Sequence, residues 1–163
     1  CHAAVEFEDP AGSIAALRAA EIPVHKLQLS SALRIAEGSD AARSALEAFA
    51  EPTYLHQLIA RAPDGRLTRF RDLPEALAAD GAQDGEEWRV HFHVPVFIDR
   101  LPAFDTTQGF LKDILALHRA DPISPHLEVE TYTWDVLPPE LRTESVDEAV
   151  ARELDWVVAE LTA

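Results

Sequence analysis

The sequence predicts an α/β fold in which parallel strands alternate with helices. Segments with strand-like alternation are repeatedly followed by helix-like segments, and 163 residues with 47% hydrophobic side chains suffice for one domain with its own core. A complete (β/α)8 TIM barrel needs about 250 residues, so we expect roughly half of one, with residues 1–163 forming part of a single barrel domain. An open doubly wound sheet is the alternative, which is disfavoured because no Gly-x-Gly-x-x-Gly follows any predicted strand.

The first two units lie in the N-terminal third of the chain. His2 stands where a first strand is expected to end, and Asp9 to Ala20 has the start signals of a helix, with Pro10 in its first turn. Ile22 to Ser30 is predicted to be a strand. Asp40 to Ala50, after a polar loop, is predicted to be the next helix.

A β-hairpin, residues 53–72, is predicted to interrupt this alternation. Its strands are Tyr54 to Arg61 and Leu67 to Asp72, and they are joined by Pro63-Asp64-Gly65-Arg66. An Asp-Gly pair between two alternating segments is a strong turn signal, because both residue types tolerate the backbone angles that tight hairpins need.

The alternation resumes in the second half of the chain. A short helix is predicted from Pro74 to Ala79, a strand from Trp88 to Phe97 and a helix from Thr107 to His118. His126 to Thr133 is the last predicted strand. The closing helix, Val146 to Leu161, is expected to bury one stripe that consists of Val146, Val150, Leu154, Val157 and Leu161.

Polar side chains occupy alternate positions on three of the predicted strands. Both faces of a barrel strand are normally apolar, so ionisable residues there need a functional or structural reason. By the two-residue period of a strand, each polar set shares one face and points to the barrel interior and its mouth, where barrel enzymes carry their active sites. These sets are Lys26, Gln28 and Ser30; Arg89, His91 and His93; and His126, Glu128 and Glu130.

Imidazole and carboxylate groups on rigid strands are ligands for zinc, manganese or magnesium, which polarise a carbonyl or activate water. His2, His91 and Glu130 are the predicted metal ligands, with His93 as an alternative to His91, and Glu130 and His93 are the predicted proton-transfer groups. The alternative is structural: Arg89 or Lys26 pairs with Glu128, and no metal binds.

Lys26, Gln28 and Arg89 are predicted to contact the substrate, because they share the faces that carry the candidate ligands. Trp134 follows the last strand, where an aromatic ring stacks on a sugar or packs in the core, and packing is the commoner role. Cys1 lacks support as a nucleophile.

Charge and composition exclude several classes of function. The chain has 29 acidic and 14 basic residues, a net charge of -15, and therefore no charge basis for binding nucleic acid. No apolar run approaches the roughly 20 residues of a membrane span, so we expect no membrane insertion. A single cysteine suits the reducing cytoplasm. The absence of methionine favours a C-terminal part of a longer protein.

Four segments resemble a known family, the xylose isomerase-like TIM barrels, and more narrowly the EboE-type metabolite-traffic proteins that are labelled sugar phosphate isomerase/epimerase. The resemblance implies strands five to eight of the barrel. It makes His2 a strand-five metal ligand, Glu130 with Thr131 the strand-eight ligand, and His91 with His93 the polar pair of strand seven; Gln28 or Ser30 replaces the usual strand-six histidine. The segments are Cys1 to Glu8, Lys26 to Leu33, His91 to Phe97 and His126 to Asp135.

The resemblance implies a metal-dependent isomerase or epimerase that acts on a small sugar-like metabolite. A non-catalytic role in metabolite traffic or export is the alternative, favoured by the missing strand-six histidine. Phosphodiester hydrolysis is a third possibility that the charge of -15 disfavours. Half a barrel exposes its edges, so the missing N-terminal half or another chain is expected to cover them.

Overall fold

In the part of the chain that the structure describes, seven short strands form two separate sheets. A computed structural model of the chain describes residues 1–78, 81–130, 133–142 and 144–163. Five strands form an antiparallel sheet in the order β4-β3-β5-β2-β6, and β1 pairs with β7 in a two-stranded parallel sheet. The strands are β1 (Leu27–Leu29), β2 (Ser31–Ile35), β3 (Leu58–Arg61), β4 (Leu67–Phe70), β5 (Glu87–Val94), β6 (Asp105–Thr106) and β7 (Leu127–Val129).

Five helices of the described residues begin within one residue of their predicted starts, whereas the short helix His2–Val5 was not predicted. Asp9 caps the second helix by accepting a hydrogen bond from the Gly12 N–H at 2.7 Å, and Ser145 caps the last one within a capping box. Ser39 caps the third helix by accepting a hydrogen bond from the Ala42 N–H. The helices are α1 (His2–Val5), α2 (Pro10–Ala19), α3 (Asp40–Leu46), α4 (Leu73–Leu77), α5 (Gln108–Ala120) and α6 (Val146–Thr162), with single 3-10 turns at Glu47–Phe49, Trp134–Val136 and Pro139–Leu141.

The predicted half of a TIM barrel is wrong. The described residues form no closed or parallel barrel wall, because β5 runs antiparallel to both β2 and β3. Residues 31–35, which the sequence analysis left outside the strands, form β2 and pair with β5. The two-residue period shows which side chains share a face, but it does not show the direction in which two strands run. His2 lies in a helix and not at the end of a first strand.

The hairpin is present with the predicted turn. β3 and β4 pair antiparallel, and Gly65 between them has a φ of +86°, which glycine adopts without strain. β3 also pairs with β5, so the hairpin supplies two strands of the main sheet and is no insertion into a barrel.

Among the described residues, the parallel pairing that the sequence predicts occurs between β1 and β7. Gln28 lies opposite Glu128, and the Lys26 ammonium nitrogen is 2.9 Å from Oε2 of Glu128 at the surface. This sheet packs on α5 and α6 through a core of leucine and valine side chains. The antiparallel sheet has a larger core, which includes Trp88 and Phe92, on one face, and it packs against α1 on the other.

The buried stripe of α6 differs from the predicted one. Ala149, Glu153 and Val157 are buried, whereas Val146 and Leu154 are 42% and 46% exposed. Val157 belongs to both stripes, but nearer the start of the helix the buried positions are 149 and 153, one residue before the predicted Val150 and Leu154. The buried stripe contains the carboxylate of Glu153 where the prediction has a valine or leucine.

Among the described residues, no helix combines the length and the apolar character that a membrane crossing requires.

Candidate functional site

The candidate site lies on one face of β5, near the N-terminal helix α1. Alternation along β5 puts His91 and His93 on the face opposite Val90 and Phe92, which are buried in the main core. The pairing of β5 with β2 is irregular between Ala32 and Leu33, next to these histidines. Such bulges re-aim side chains, and they are common beside functional sites.

Three potential metal ligands converge at this point. The Sγ of Cys1 and one ring nitrogen each of His91 and His93 all lie within 4.8 Å of one another. The two Nε2 atoms of the histidines are 3.2 Å apart. His93 is only 3% exposed, so the deepest of the three candidate ligands is held by packing.

Burial keeps both imidazoles neutral near pH 7. Desolvation, and secondarily the neighbouring His2, lower the pKa of His91 to about 4. Desolvation and the neighbouring His91 lower the pKa of His93 to about 3, although a hydrogen bond with the Glu130 main chain opposes this shift. A neutral imidazole keeps one nitrogen lone pair, which is the form that binds metals.

The cluster opens into a cavity of about 420 Å³. Ser30 contributes a hydroxyl that is buried without a hydrogen-bond partner among the described residues. A buried, unpaired hydroxyl costs about 1–3 kcal/mol, which a ligand oxygen in the cavity would offset. The cavity is lined by Cys1, His2, Ala3, Gln28, Ser30, His91, His93 and Glu130.

Two further predicted residues surround the histidines. The Oε2 of Glu130 lies 3.9 Å from Nδ1 of His93, and the Glu130 side chain is 31% exposed. The ring of His2 meets the ring of His91 edge-on, with 5.1 Å between the centroids. Thr131, which the resemblance pairs with Glu130, lies outside the described residues, as do Tyr132 and Ala79.

His56 supports the site from behind. Its ring is fully buried, with Nδ1 3.2 Å from the His91 carbonyl oxygen and Nε2 2.7 Å from Oε1 of Glu51. Desolvation raises the pKa of Glu51, but hydrogen bonds from Thr53, His56 and Tyr54 prevail and lower it to about 2. The ionised Glu51 therefore orients His56, and His56 holds the strand that carries His91.

The structure brings together five of the residues that the sequence singled out and places three elsewhere. Lys26 is at the surface, paired with Glu128. Arg89 points to a different cavity and binds Glu87. Trp134 packs against the main core outside the site cavity, although it lines an adjoining narrow pocket together with His93 and Glu130. The five that line the site cavity are His2, Gln28, His91, His93 and Glu130.

Cys1 is a candidate ligand that the sequence did not predict. The sequence offered it only as an unsupported nucleophile, although its sulfur lies close to the ring nitrogens of His91 and His93. The available signal was its position beside His2, because both residues are metal ligands and occur together at one end of a helix.

Comparisons of this chain with protein-family models, with curated proteins and with solved structures found no match.

Proposed function

We propose that Cys1, His91 and His93 bind one divalent metal ion, zinc, and that the protein uses this site to isomerise or epimerise a small sugar-like metabolite. The observation that carries the proposal is the convergence of the three ligand atoms within 4.8 Å of one another. Ligands of a tetrahedral zinc ion, at about 2.0–2.3 Å from the metal, lie about 3.3–3.8 Å apart. A small inward movement of the side chains therefore completes the geometry.

The donor set favours zinc over magnesium and manganese. A thiolate and two neutral imidazoles are soft or borderline ligands, whereas magnesium and manganese prefer oxygen. The set of His2, His91 and Glu130 that the sequence predicted contains no sulfur; Cys1 supplies it in the cluster. Three protein ligands leave a fourth position for water or substrate, as in catalytic zinc sites.

The residues around the cluster have roles that suit a hydroxylated substrate. A bound metal ion polarises a substrate carbonyl and acidifies the carbon beside it. Glu130 lines the same cavity and is the group that moves the proton, while Gln28 and the unpaired hydroxyl of Ser30 hydrogen-bond substrate hydroxyls. Without proton transfer by Glu130 the same pocket would bind such a metabolite without turnover, as a traffic protein does.

Free thiols persist best in reducing compartments, so we propose a cytoplasmic location. The relationship to sugar phosphate isomerases remains a prediction from the sequence.

The decisive experiment measures bound metal and its effect on stability. The chain is purified without chelator, analysed for zinc, manganese and magnesium, and then titrated with zinc after chelation. We expect about one zinc ion per chain and a rise in the unfolding free energy of about 2.7 kcal/mol at a free zinc concentration 100-fold above the dissociation constant.

Two variants remove one ligand each. Cys1→Ser and His91→Gln are expected to weaken zinc binding at least tenfold, whereas His25→Gln, at an exposed position outside the cluster, leaves it unchanged. Zinc binding of equal strength in all four proteins, or no zinc at all in the parent chain, would overturn the proposed site. Glu130→Gln separates catalysis from binding, because it is expected to retain zinc and lose turnover of a ketose or aldose.

A further inference from the structure

A second cavity has a volume of about 570 Å³, and arginines are the most numerous charged side chains that line it. Its size is within the roughly 300–1,000 Å³ of small-molecule sites. Four arginines face three carboxylates there, although the whole chain has a net charge of -15. The charged lining residues are Arg34, Arg61, Arg89 and Arg100 with Glu87, Asp99 and Asp105.

The carboxylate of Glu87 pairs with three of these arginines. Oε1 of Glu87 accepts hydrogen bonds from Nε of Arg34 at 2.8 Å and from Nε of Arg89 at 2.9 Å, and Oε2 pairs with Arg61. The pKa of Glu87 is lowered: desolvation raises it, but the hydrogen bond from Arg34 and the charge of Arg89 prevail. Asp105 is a second carboxylate of the cluster, 3.6 Å from Nη1 of Arg34 and 2.9 Å from Nε of Arg100. The four lining guanidinium groups still exceed the three lining carboxylates by one charge, and each guanidinium has five N–H donors.

The fold holds these cations close together. Arg34 and Arg89 lie directly opposite each other on β2 and β5, a position in which like charges repel. The ring of Phe7 packs against the guanidinium groups of both Arg61 and Arg89, at 4.3 and 3.9 Å from its centroid. The Phe7 ring and the carboxylates offset part of the repulsion between these cations, and an additional anion would offset more of it.

The start of α5 faces the same cavity. Gly109 and Phe110, in the first turn of this 13-residue helix, line it together with Thr107. The first four N–H groups of a helix have no acceptor within the helix, and the helix dipole favours negative charge there. A Cβ atom at Gly109 would meet nothing within 4 Å, so the side of this turn at Gly109 is open, and the Gln108 N–H is already bonded to the Thr106 hydroxyl.

We propose that this arginine-lined cavity is an anion-binding site for a phosphate group, either as the free ion or as a phosphate monoester of a small metabolite. A guanidinium group binds phosphate through two parallel hydrogen bonds, whereas a lysine ammonium acts as a point charge. A cluster of arginines therefore suits a phosphate group. A nucleic acid is disfavoured as the source, because the positive charge is confined to one cavity in a strongly acidic chain.

The inference is independent of the metal site, because the two cavities share no lining residue. Failure of one proposal therefore leaves the other intact, provided that the anion is measured on chelated protein.

Isothermal titration calorimetry tests the site with inorganic phosphate and with ribose 5-phosphate. The titrations use the full chain, EDTA and sodium chloride at constant ionic strength, with ribose as the uncharged control. We expect one site per chain for at least one of the two phosphates and none for ribose. Tighter binding of the ester identifies a phosphorylated metabolite, tighter binding of inorganic phosphate identifies the free ion, and equal binding shows that the site recognises the phosphate group alone.

The variants Arg61→Gln and Arg100→Gln address the site without removing a buried group. Their side chains are 41% and 77% exposed, so both variants are expected to fold. Each is expected to weaken phosphate binding about tenfold, whereas Arg119→Gln, near the other end of α5, makes the same charge change and leaves binding unchanged. Equal affinity in all three variants, or no binding of either phosphate by the parent chain, would overturn the proposal.

Discussion

Glu153 is a carboxylic acid in the protein interior, on the buried face of α6. It is 1% exposed, its Oε2 accepts a hydrogen bond from the Val96 N–H at 3.0 Å, and its Oε1 has no partner among the described residues. Desolvation raises the pKa of this carboxyl to about 7, against the smaller opposing effect of the Val96 hydrogen bond. The folded protein therefore holds a proton here that the unfolded chain releases above its ordinary carboxyl pKa of about 4.3.

This shift makes a pH-dependent prediction for Glu153→Gln. Between the unfolded pKa and about 7 the folded state binds the extra proton, so the unfolding free energy of the parent chain declines as pH rises through this window. We expect Glu153→Gln to unfold with a free energy about 1–3 kcal/mol higher than the parent at pH 8.5, with a much smaller difference at pH 4.5.

Urea unfolding at the two pH values measures the difference between variant and parent, which cancels the contribution of the histidines. Asp155→Asn is the matched control, because Asp155 is exposed on the same helix and its removal makes the same change in net charge, so the effect of net charge is common to both variants. A Glu153→Gln difference that does not depend on pH contradicts the raised pKa.

At the residue scale, the sequence predicts that His91 and His93 share one face of a strand, but it does not predict that Cys1 lies near them. His91 and His93 share a face because side chains alternate along any strand, whatever its neighbours. The contact of Cys1 with them depends on how α1 packs against β5, which no local pattern encodes.

At the scale of the elements, α6 begins with a capping box that fixes its first turn. Ser145 Oγ accepts from the Glu148 N–H at 3.3 Å, and Oε2 of Glu148 accepts from the Ser145 N–H at 2.9 Å. Each interaction satisfies an amide that the helix itself leaves without a partner.

Ser145→Ala is expected to lower the unfolding free energy by about 1 kcal/mol, because the Glu148 amide loses its acceptor. Chemical denaturation at neutral pH measures the loss. Ser13→Ala is the control, since Ser13 lies inside α2 and its hydroxyl bonds only the exposed Glu8 side chain. Similar losses in the two variants would show that the cap contributes no more than a surface hydroxyl.

Helix boundaries were predictable because their signals are local. Asp9, Ser39 and Ser145 each precede a helix start and cap it, and Gly65 marks the hairpin turn. The face of α6 was predicted less well, because the apolar pattern is satisfied by two neighbouring stripes and packing against Val96 selected the one that contains Glu153.

The whole molecule is dominated by negative charge. Its net charge of -15 makes the charged groups repel each other on average, which destabilises the compact state at low ionic strength. Several surface pairs act in the opposite direction, among them Arg18 with Asp121 at 2.8 Å, but exposed pairs contribute little.

We therefore expect sodium chloride to stabilise the protein. Raising it from about 0.02 to 0.5 M at pH 7.5 shortens the screening length from roughly 20 Å to about 4 Å and is expected to raise the thermal midpoint by a few degrees. Near the isoelectric point of about 4.7 the same salt change is expected to have a smaller effect, because the net charge vanishes there. A lower midpoint at pH 7.5 would mean that the salt bridges outweigh the general repulsion.

The sequence by itself determined the positions of the main helices, the hairpin turn and the polar face of β5, since capping, turn chemistry and side-chain alternation act over a few neighbouring residues. Only the tertiary structure decided the strand directions, the division into two sheets, the approach of Cys1 to His91 and His93, and the gathering of arginines around Glu87. These features depend on which distant segments exclude water from each other, and the same alternation pattern is compatible with parallel and antiparallel partners alike.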